Sequence, residues 1–498
     1  MFQGSSLQRR FLHVWVPLGS YNHFWGTGLR KLELLATMWR WGLSQVQKAR
    51  RVVSVQSKKR SKILGLLVVA LIIAGCFSTQ LQNFIRLPNQ QKISVGDELT
   101  LGFDFPRQAL DRLSVYVEAR ESGVFKLNGN PFVNQAFRYN QGVPVATEPG
   151  QVNIYLKLFG FIPLKSMTVD VVPKLKLIPG GQSIGVMLNS QGVMIVGFSP
   201  VIDKSGVKHY PAKDAGIKVG DTVLKINGQP VNSDHEMAGI IKNTGADGGE
   251  LKVLIKRDNR IEEKVVKPVL CKETGSYRIG LYIRDSAAGV GTLTFIDPDN
   301  LRYGALGHVI TDADTGQKIN LRDGKIVKAS VQGIKQGKKG IPGEKIGMFL
   351  QDGEITGNIR KNTQVGIFGT LDKLIKNPFF QEPVPVALSS QVKTGPAEIL
   401  TVIDGTKIEK FNIEIQRVLP YDRPDAKGMI IKVTDRRLLA RTGGIIQGMS
   451  GSPILQDNKI IGAVTHVFVN DPTRGYGVYI EKMINETQQF EYRLPKAG

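Results

Sequence analysis

Cysteine is almost missing from this chain. Cys76 and Cys271 are the two in 498 residues and lie far apart, so a disulfide framework and a multi-cysteine metal site are both excluded. Histidine is scarce as well, with six in all, which narrows the search for a general base to a few positions. Acid is short relative to base: 43 Asp and Glu stand against 66 Lys and Arg, a formal charge of +23. That excess suggests nucleic acid until it is located. Residues 1–62 hold twelve Lys and Arg against the single acid Glu33, so +11 sits on this first eighth and +12 is spread over the remaining 436 residues. No stacking platform accompanies the basic block, and the sequence gives no nucleic-acid partner.

Long apolar runs are also lacking, with one near exception. Ile63 to Phe77 carries no charge and follows Lys58-Lys59-Arg60-Ser61-Lys62. At 1.5 Å per residue it spans about 22 Å as a helix, short of the roughly 30 Å hydrocarbon core, as expected of a signal-type segment or a short anchor. Its basic flank stays on the side of synthesis, so the expectation is a cytoplasmic region 1–62, a signal or transmembrane segment 63–80, and export of everything after it. Ile73-Ala74-Gly75-Cys76 fits the small-residue pattern before a lipid-modified cysteine, and Met38 is an alternative start.

What is plentiful is β-type alternation. Lys92–Val95, Glu98–Phe103, Leu113–Val117 and Val152–Leu156 alternate with period two between Gly-, Pro- and Asn-rich breaks, predicting a small β domain over 90–172. From 173 to 270 the succession Ser183-Ile184-Gly185-Val186-Met187-Leu188, then Ala215-Gly216-Ile217-Lys218-Val219-Gly220-Asp221, then Asn227-Gly228 resembles a PDZ domain. In that resemblance Ser183 to Leu188 is the carboxylate-binding loop leading into an edge strand, and Asp234 to Asn243 is the helix across the groove. Free amides in a glycine-containing loop can hold a peptide carboxylate while the strand edge supplies main-chain hydrogen bonds. The last 220 residues again read as many short strands.

Two short stretches in that last part carry chemistry. Gly448-Met449-Ser450-Gly451-Ser452-Pro453 pins a serine between glycines, which lets the chain turn tightly and presents the amides of Gly448 and Ser450 as an oxyanion hole. A serine hydroxyl needs an imidazole to take its proton. His13 and His23 precede the apolar segment, and His209 and His235 fall in the PDZ-like segment. His308, in Gly304-Ala305-Leu306-Gly307-His308-Val309-Ile310, and His466, in Val464-Thr465-His466-Val467-Phe468, remain. His308 is favoured as the base.

The nucleophile stretch resembles that of chymotrypsin-like proteases, with Ser452 where those enzymes usually have glycine. The apolar segment, the PDZ-like part, Gly-Ala-Leu-Gly-His, Val433-Thr434-Asp435 and Gly-Met-Ser-Gly-Ser-Pro together resemble the SpoIVB peptidase family, the stage IV sporulation proteases. The resemblance implies a mainly β chain whose protease domain, 275–490, is a double β-barrel with catalytic His308, Asp435 and Ser450, without metal or cofactor. It also implies a function: cleavage of a membrane-bound regulatory protein between forespore and mother cell, so that a sigma-factor precursor is processed. The PDZ domain's partner would be that protein or the chain's own N-terminal region. Asp435 departs from the chymotrypsin pattern in lying only fifteen residues before Ser450, and Asp312, four after His308, is the local competitor for the orienting acid. A general envelope quality-control protease and a PDZ scaffold with an inactive protease domain are the alternative functions.

Overall fold

The computed structural model describes residues 89–487 apart from 100–112, 120–122, 132–134, 139–141, 159–160, 259 and 351–354. The expected membrane segment, the basic region before it and Cys76 lie outside the described residues. Among those described, no helix is long and apolar enough to cross a membrane.

The chain is mainly β. β1 (Gln90–Ser94), β2 (Leu113–Ala119), β3 (Gln135–Arg138), β4 (Gly150–Leu158) and β5 (Ile162–Val172) form a five-stranded sheet in the order β1-β5-β4-β2-β3. Period-two alternation puts Val152, Ile154 and Leu156 of β4 and Met167, Val169 and Val171 of β5 in its core. The sheet is tied to the C-terminal part of the chain by Gln391, which donates to Asp97 at 2.6 Å, and by an ion pair of Lys92 with buried Glu481 at 3.5 Å.

β6 (Lys176–Pro179) and β7 (Ser183–Phe198) open a 14-stranded sheet, and in β7 the structure departs from the sequence reading. Ser183 to Asn189 pair on one edge with residues Thr292 back to Ser286, and on the other edge Ile184 to Asn189 pair with Lys328 back to Asp323. Both edges of the expected carboxylate loop are therefore occupied. Gly185 faces the ring of Phe349, where an added Cβ would sit 2.5 Å from the ring. Ile184, Val186 and Leu188 are buried in one cluster with Leu293, Tyr303 and Ile367. Ser183 to Leu188 form a core strand of the first of two lobes.

The PDZ-like part grows out of the far half of the same strand. β8 (Thr222–Ile226) pairs with β7 at Val193 and Met194, turns through Asn227 (φ 50°) and Gly228 (φ 80°), and leads to helix α1 (Asp234–Ala246). Two left-handed residues in succession are what an Asn-Gly hairpin turn demands. Ser233 caps α1 by accepting from Glu236 N at 3.2 Å. β9 (Leu251–Arg257) and β10 (Arg260–Val266) complete this part, over a core that includes Val193, Ile195, Val223, Met237, Ile241 and Val253. β11 (Leu281–Ile296) then returns to the first lobe. β7 and β11 are two 16-residue strands paired along most of their length. The PDZ-like part is thus inserted between two strands of the first lobe, joined to it by a two-stranded ribbon that is bulged on the β7 side between Asn189 and Met194.

β12 (Arg302–Ala305), β13 (Leu321–Lys335), β14 (Glu344–Leu350) and β15 (Gly366–Thr370) complete the main strands of the first lobe. The second lobe is a closed barrel in the order β16 (Gly395–Val402), β17 (Ile408–Val418), β18 (Lys427–Val433), β21 (Asp471–Tyr479), β20 (Lys459–Phe468) and β19 (Pro453–Gln456). Helix α2 (Arg436–Thr442) leaves β18 and delivers the chain to the nucleophile loop, and α3 (Ile480–Glu486) follows the barrel. One lobe closes as a barrel and the other shares its sheet with the PDZ domain.

Candidate active site

The loop after α2 is built from positions that only glycine fits. The helix ends at Gly443 (φ 74°). Gly448 (φ 91°) and Gly451 (φ 93°) flank the serine in the left-handed region, and a Cβ on Gly451 would sit 2.1 Å from Thr292 O and 2.4 Å from Leu306 N. The loop is held from several sides. Thr292 N donates to Ser450 O at 3.0 Å and Gly451 N to Val464 O at 2.8 Å. Thr292 Oγ1 donates to Gly448 O at 2.8 Å, and Thr294 Oγ1 to Gly451 O at 2.7 Å. Gln447, Met449, Gly451 and Ser452 spend their amides on main-chain oxygens, whereas Gly448 and Ser450 donate to no acceptor among the described residues. Two amides left free in an otherwise bonded loop, one of them the serine's own, are what an oxyanion hole requires.

His308 reaches the same place from the first lobe. β12 ends in two consecutive left-handed residues, Leu306 (φ 70°) and Gly307 (φ 72°), an uncommon conformation for a buried leucine. Leu306 N donates to Thr292 O at 3.2 Å, so the turn is pinned to the residue that also holds Ser450 O. A Cβ on Gly307 would lie 2.9 Å from Thr465 Cγ2. Asn362, buried, then clamps the outgoing chain, accepting from Ile310 N at 2.8 Å and donating to Ile310 O at 2.9 Å and Ile319 O at 3.1 Å. The His308 ring lies 5.1 Å, centroid to centroid, from that of His466. Ser450 Oγ donates to Thr465 O at 2.8 Å, one residue before His466. Serine, His308 and His466 therefore meet between the lobes, with the hydroxyl parked on a carbonyl that it must leave in order to bond the imidazole.

Asp435, the expected orienting acid, is bonded to groups other than His308. Asp435 caps α2: its carboxylate accepts from Arg437 N at 2.9 Å, pairs with the Arg437 guanidinium at 2.9 Å, and takes Asn412 N at 3.3 Å. The Arg437 hydrogen bond above all holds its carboxyl below the usual range. An aspartate directly before a helix and two residues before an arginine has its lone pairs engaged locally, and the structure does not bring it to His308. Asp312 is likewise committed, to Arg284 at 2.8 Å and to Thr315. His308 Nδ1 instead donates to Val309 O at 2.8 Å. A carbonyl accepts only, so this bond fixes the proton on Nδ1 and leaves Nε2 as the acceptor that a general base needs. Burial lowers the His308 pKa below 6.5, opposed by that hydrogen bond. His466 is pushed down to about 4, by desolvation first and then by the neighbouring His308. Both imidazoles are therefore neutral at neutral pH.

Beneath the loop lies a residue that the sequence did not single out. Lys345 of β14 is buried, and its Nζ donates to Thr401 Oγ1 at 2.9 Å and to Thr292 Oγ1 at 3.5 Å, with no carboxylate paired to it among the described residues. Its backbone N donates to Gln447 O at 2.9 Å, which turns the Gly448 amide the opposite way. Its stem underlies Gly448, whose added Cβ would lie 3.0 Å from Lys345 Cδ. Burial brings the amine down to about 7. Neither Lys345 nor Thr292 sits in a recognisable motif, so the only signal available was a lysine directly before the run Ile346-Gly347-Met348-Phe349-Leu350. Among the described residues there is no group of three or more His, Cys, Asp or Glu able to hold a metal ion.

Residues 275–484 match the family model of the SpoIVB peptidase S55, and residues 202–257 that of a PDZ domain. Among curated proteins, the putative zinc metalloprotease BH06270 of Bartonella henselae is 30% identical over 105 residues, 21% of this chain and 27% of that protein. The putative zinc metalloprotease CPE1693 of Clostridium perfringens is 35% identical over 89 residues, 18% and 25% respectively. The chain thus spans about a quarter of the length of these curated relatives. Among solved structures, the active form of the Rv3671c protease of M. tuberculosis aligns over 42% of this chain and 77% of that one, at 15% identity and a TM-score of 0.24. The PDZ domain of the SdrC-like protein of Listeria monocytogenes aligns over 19% and 87%, at 24% identity and a TM-score of 0.15.

Proposed function

This chain belongs to the SpoIVB peptidase family and is a serine endopeptidase with a PDZ domain, and from that premise we propose that it serves sporulation signalling. Its substrate is a membrane-bound regulatory protein facing the space between forespore and mother cell, and the cut lets a sigma-factor precursor be processed. The enzyme reaches that space by export through its apolar N-terminal segment, which anchors it or is removed. Its PDZ domain engages the substrate or its own N-terminal region.

The chemistry follows from the geometry. His308 Nε2 takes the Ser450 proton as Oγ attacks the scissile carbonyl. The amides of Gly448 and Ser450 receive the oxyanion, and His308 returns the proton to the leaving amine. The observation that carries the reading is the pair of unspent amides at Gly448 and Ser450 beside a turn that delivers His308 to the same loop.

Labelling of the exported part with a serine-directed phosphonate, followed by mass spectrometry, tests the nucleophile. The adduct is expected on Ser450 and absent from Ser450→Ala, and labelling elsewhere would reject the assignment. The biological role is tested by replacing the native copy in a spore former with Ser450→Ala. The sigma-factor precursor is expected to accumulate, and normal processing would reject the signalling reading.

A further inference from the structure

We infer that β11 is a single binding track, along which one extended substrate runs from the PDZ turn to the nucleophile, setting the cleavage site about ten residues before a free C-terminus. The inference rests on the serine endopeptidase reading of Ser450 and deepens it by naming the class of substrate.

Thr292 turns its N–H and C=O outward, to Ser450 O and from Leu306 N, while Leu293 N points the other way, to Gln182 O. Period-two alternation along an antiparallel strand makes Val290, Ala288 and Ser286 the next residues with outward-facing main-chain groups. From Leu281 to Gly291 the strand pairs on one edge with β7, and among the described residues no strand pairs with its other edge. Ser286, Ala288 and Gly289 are exposed, and the space where a Gly289 Cβ would stand is open, so a peptide backbone can approach closely.

At the opposite end, the strand begins from a turn suited to a carboxylate. Gly280 has φ 77°, and a Cβ there would sit 2.4 Å from Ser199 O. The amides of Ile279 and Gly280 donate to no acceptor among the described residues. Adjacent free amides in a glycine turn form an anion-binding concavity. Helix α1 runs beside this half of the strand, with Asp234 N donating to Asp285 Oδ2 at 3.1 Å near one end and Gly245 against Tyr277 near the other. A strand edge facing a helix, with a carboxylate turn at the strand's start, takes a peptide in antiparallel sense with its C-terminus at the turn.

Direction and length then follow together. A peptide whose terminus lies at Gly280 and which runs antiparallel to β11 has its upstream residues at Val290, next to Ser450. The part bound on the track is therefore the leaving side of the substrate. At about 3.3 Å per residue the eleven positions from Leu281 to Gly291 cover roughly 35 Å, which about ten peptide residues fill one for one.

The test uses one cleavable sequence followed by tails of four, seven, ten and fourteen residues, each ending in a free carboxylate or an amide. With the exported chain, kcat/KM is expected to rise at least tenfold from the four- to the ten-residue tail, to gain nothing further at fourteen, and to lose the gain on amidation. The same tails are titrated against Ser450→Ala protein by fluorescence anisotropy. Affinity is expected to grow up to ten residues. Binding that is complete by four or five residues, or cleavage indifferent to tail length and terminus, overturns the track while leaving the peptidase intact. Absence of cleavage and of phosphonate labelling, with length-dependent binding retained, rejects the peptidase reading and keeps the track.

Discussion

A lysine buried against two threonine hydroxyls is an expensive way to fill space. Lowering an amine from 10.5 to about 7 corresponds to a penalty on the order of 5 kcal/mol for keeping it charged in the fold. The sign is that of a base with a depressed folded pKa: as pH falls from 10.5 the unfolded chain takes up a proton that the fold refuses, and stability drops until about pH 7, below which both forms hold it. Lys345→Met is therefore expected to raise the melting temperature, most of all at pH 7 and below. Because Lys345 braces Gly448 directly and through Thr292, the same variant should lower kcat by tenfold or more with KM within a few-fold. A loss of stability accompanying the loss of kcat would mark Lys345 as ordinary packing. Ser452 gives the contrast: its buried hydroxyl has no hydrogen-bond partner among the described residues, so Ser452→Ala should be neutral or stabilising by about 1 kcal/mol and leave kcat/KM near normal. For His308 the lowered pKa means that kcat/KM should fall on acidification with a midpoint below 6.5, read from a pH profile. A midpoint above 6.5 would require a carboxylate at the imidazole, which the structure does not provide.

Elements tell how far the sequence could be read. The nucleophile loop was legible because glycine, serine and proline at fixed spacing leave few backbone solutions, and the Asn227-Gly228 turn was legible for the same reason. Strand partners were not, since alternation identifies a strand without saying which edges are covered. Ser183 to Leu188 has the composition of a PDZ loop, yet it is paired on both sides, and only the long-range register with residues 286–292 and 323–328 reveals it. Thr292 and Lys345 were invisible for a related reason, as their roles exist only through tertiary contacts, Lys345 with Thr292, Thr401 and Gln447, and Thr292 with Leu306 and Ser450. Asp435 tests the distinction between cap and catalyst. If it caps α2 and pairs with Arg437, Asp435→Asn should cost about 1 kcal/mol of stability and leave the pH profile of kcat/KM unmoved in the protein that remains folded. A fall in kcat of a hundredfold or more at unchanged melting temperature would restore it to the triad.

At the scale of the whole molecule, the connection of two domains by a two-stranded ribbon has a geometric consequence. β7 leaves the first lobe at Asn189 and β11 re-enters it at Ser286, and these two residues are directly paired across the ladder. Everything between them, the PDZ domain included, is joined to the first lobe at this hairpin and through the 312–320 loop, where Asp312 pairs with Arg284 and Gln191 N donates to Asn320 O. The buried cluster of the PDZ domain and that of the first lobe divide along the same line, with Val193 and Ile195 in one and Ile184, Val186 and Leu188 in the other. Each lobe of the protease should therefore keep its core when the insertion is removed. Joining Asn189 to Ser286 through an Asn-Gly pair, which suits a two-residue hairpin between antiparallel strands, is expected to give a folded protein with the circular dichroism of an all-β protein and a cooperative melt. It should cleave a short-tailed peptide with kcat/KM within a few-fold of the full chain, because Thr292, Leu306, Gly307 and the loop around Ser450 lie beyond the excision. What it should lose is the advantage of a ten-residue tail with a free carboxylate, since the Gly280 turn and the outer half of the track are gone. A folded deletion protein that still prefers the long tail would place the recognition elsewhere. One that is folded but inactive on every peptide would make the PDZ domain part of the catalytic machinery.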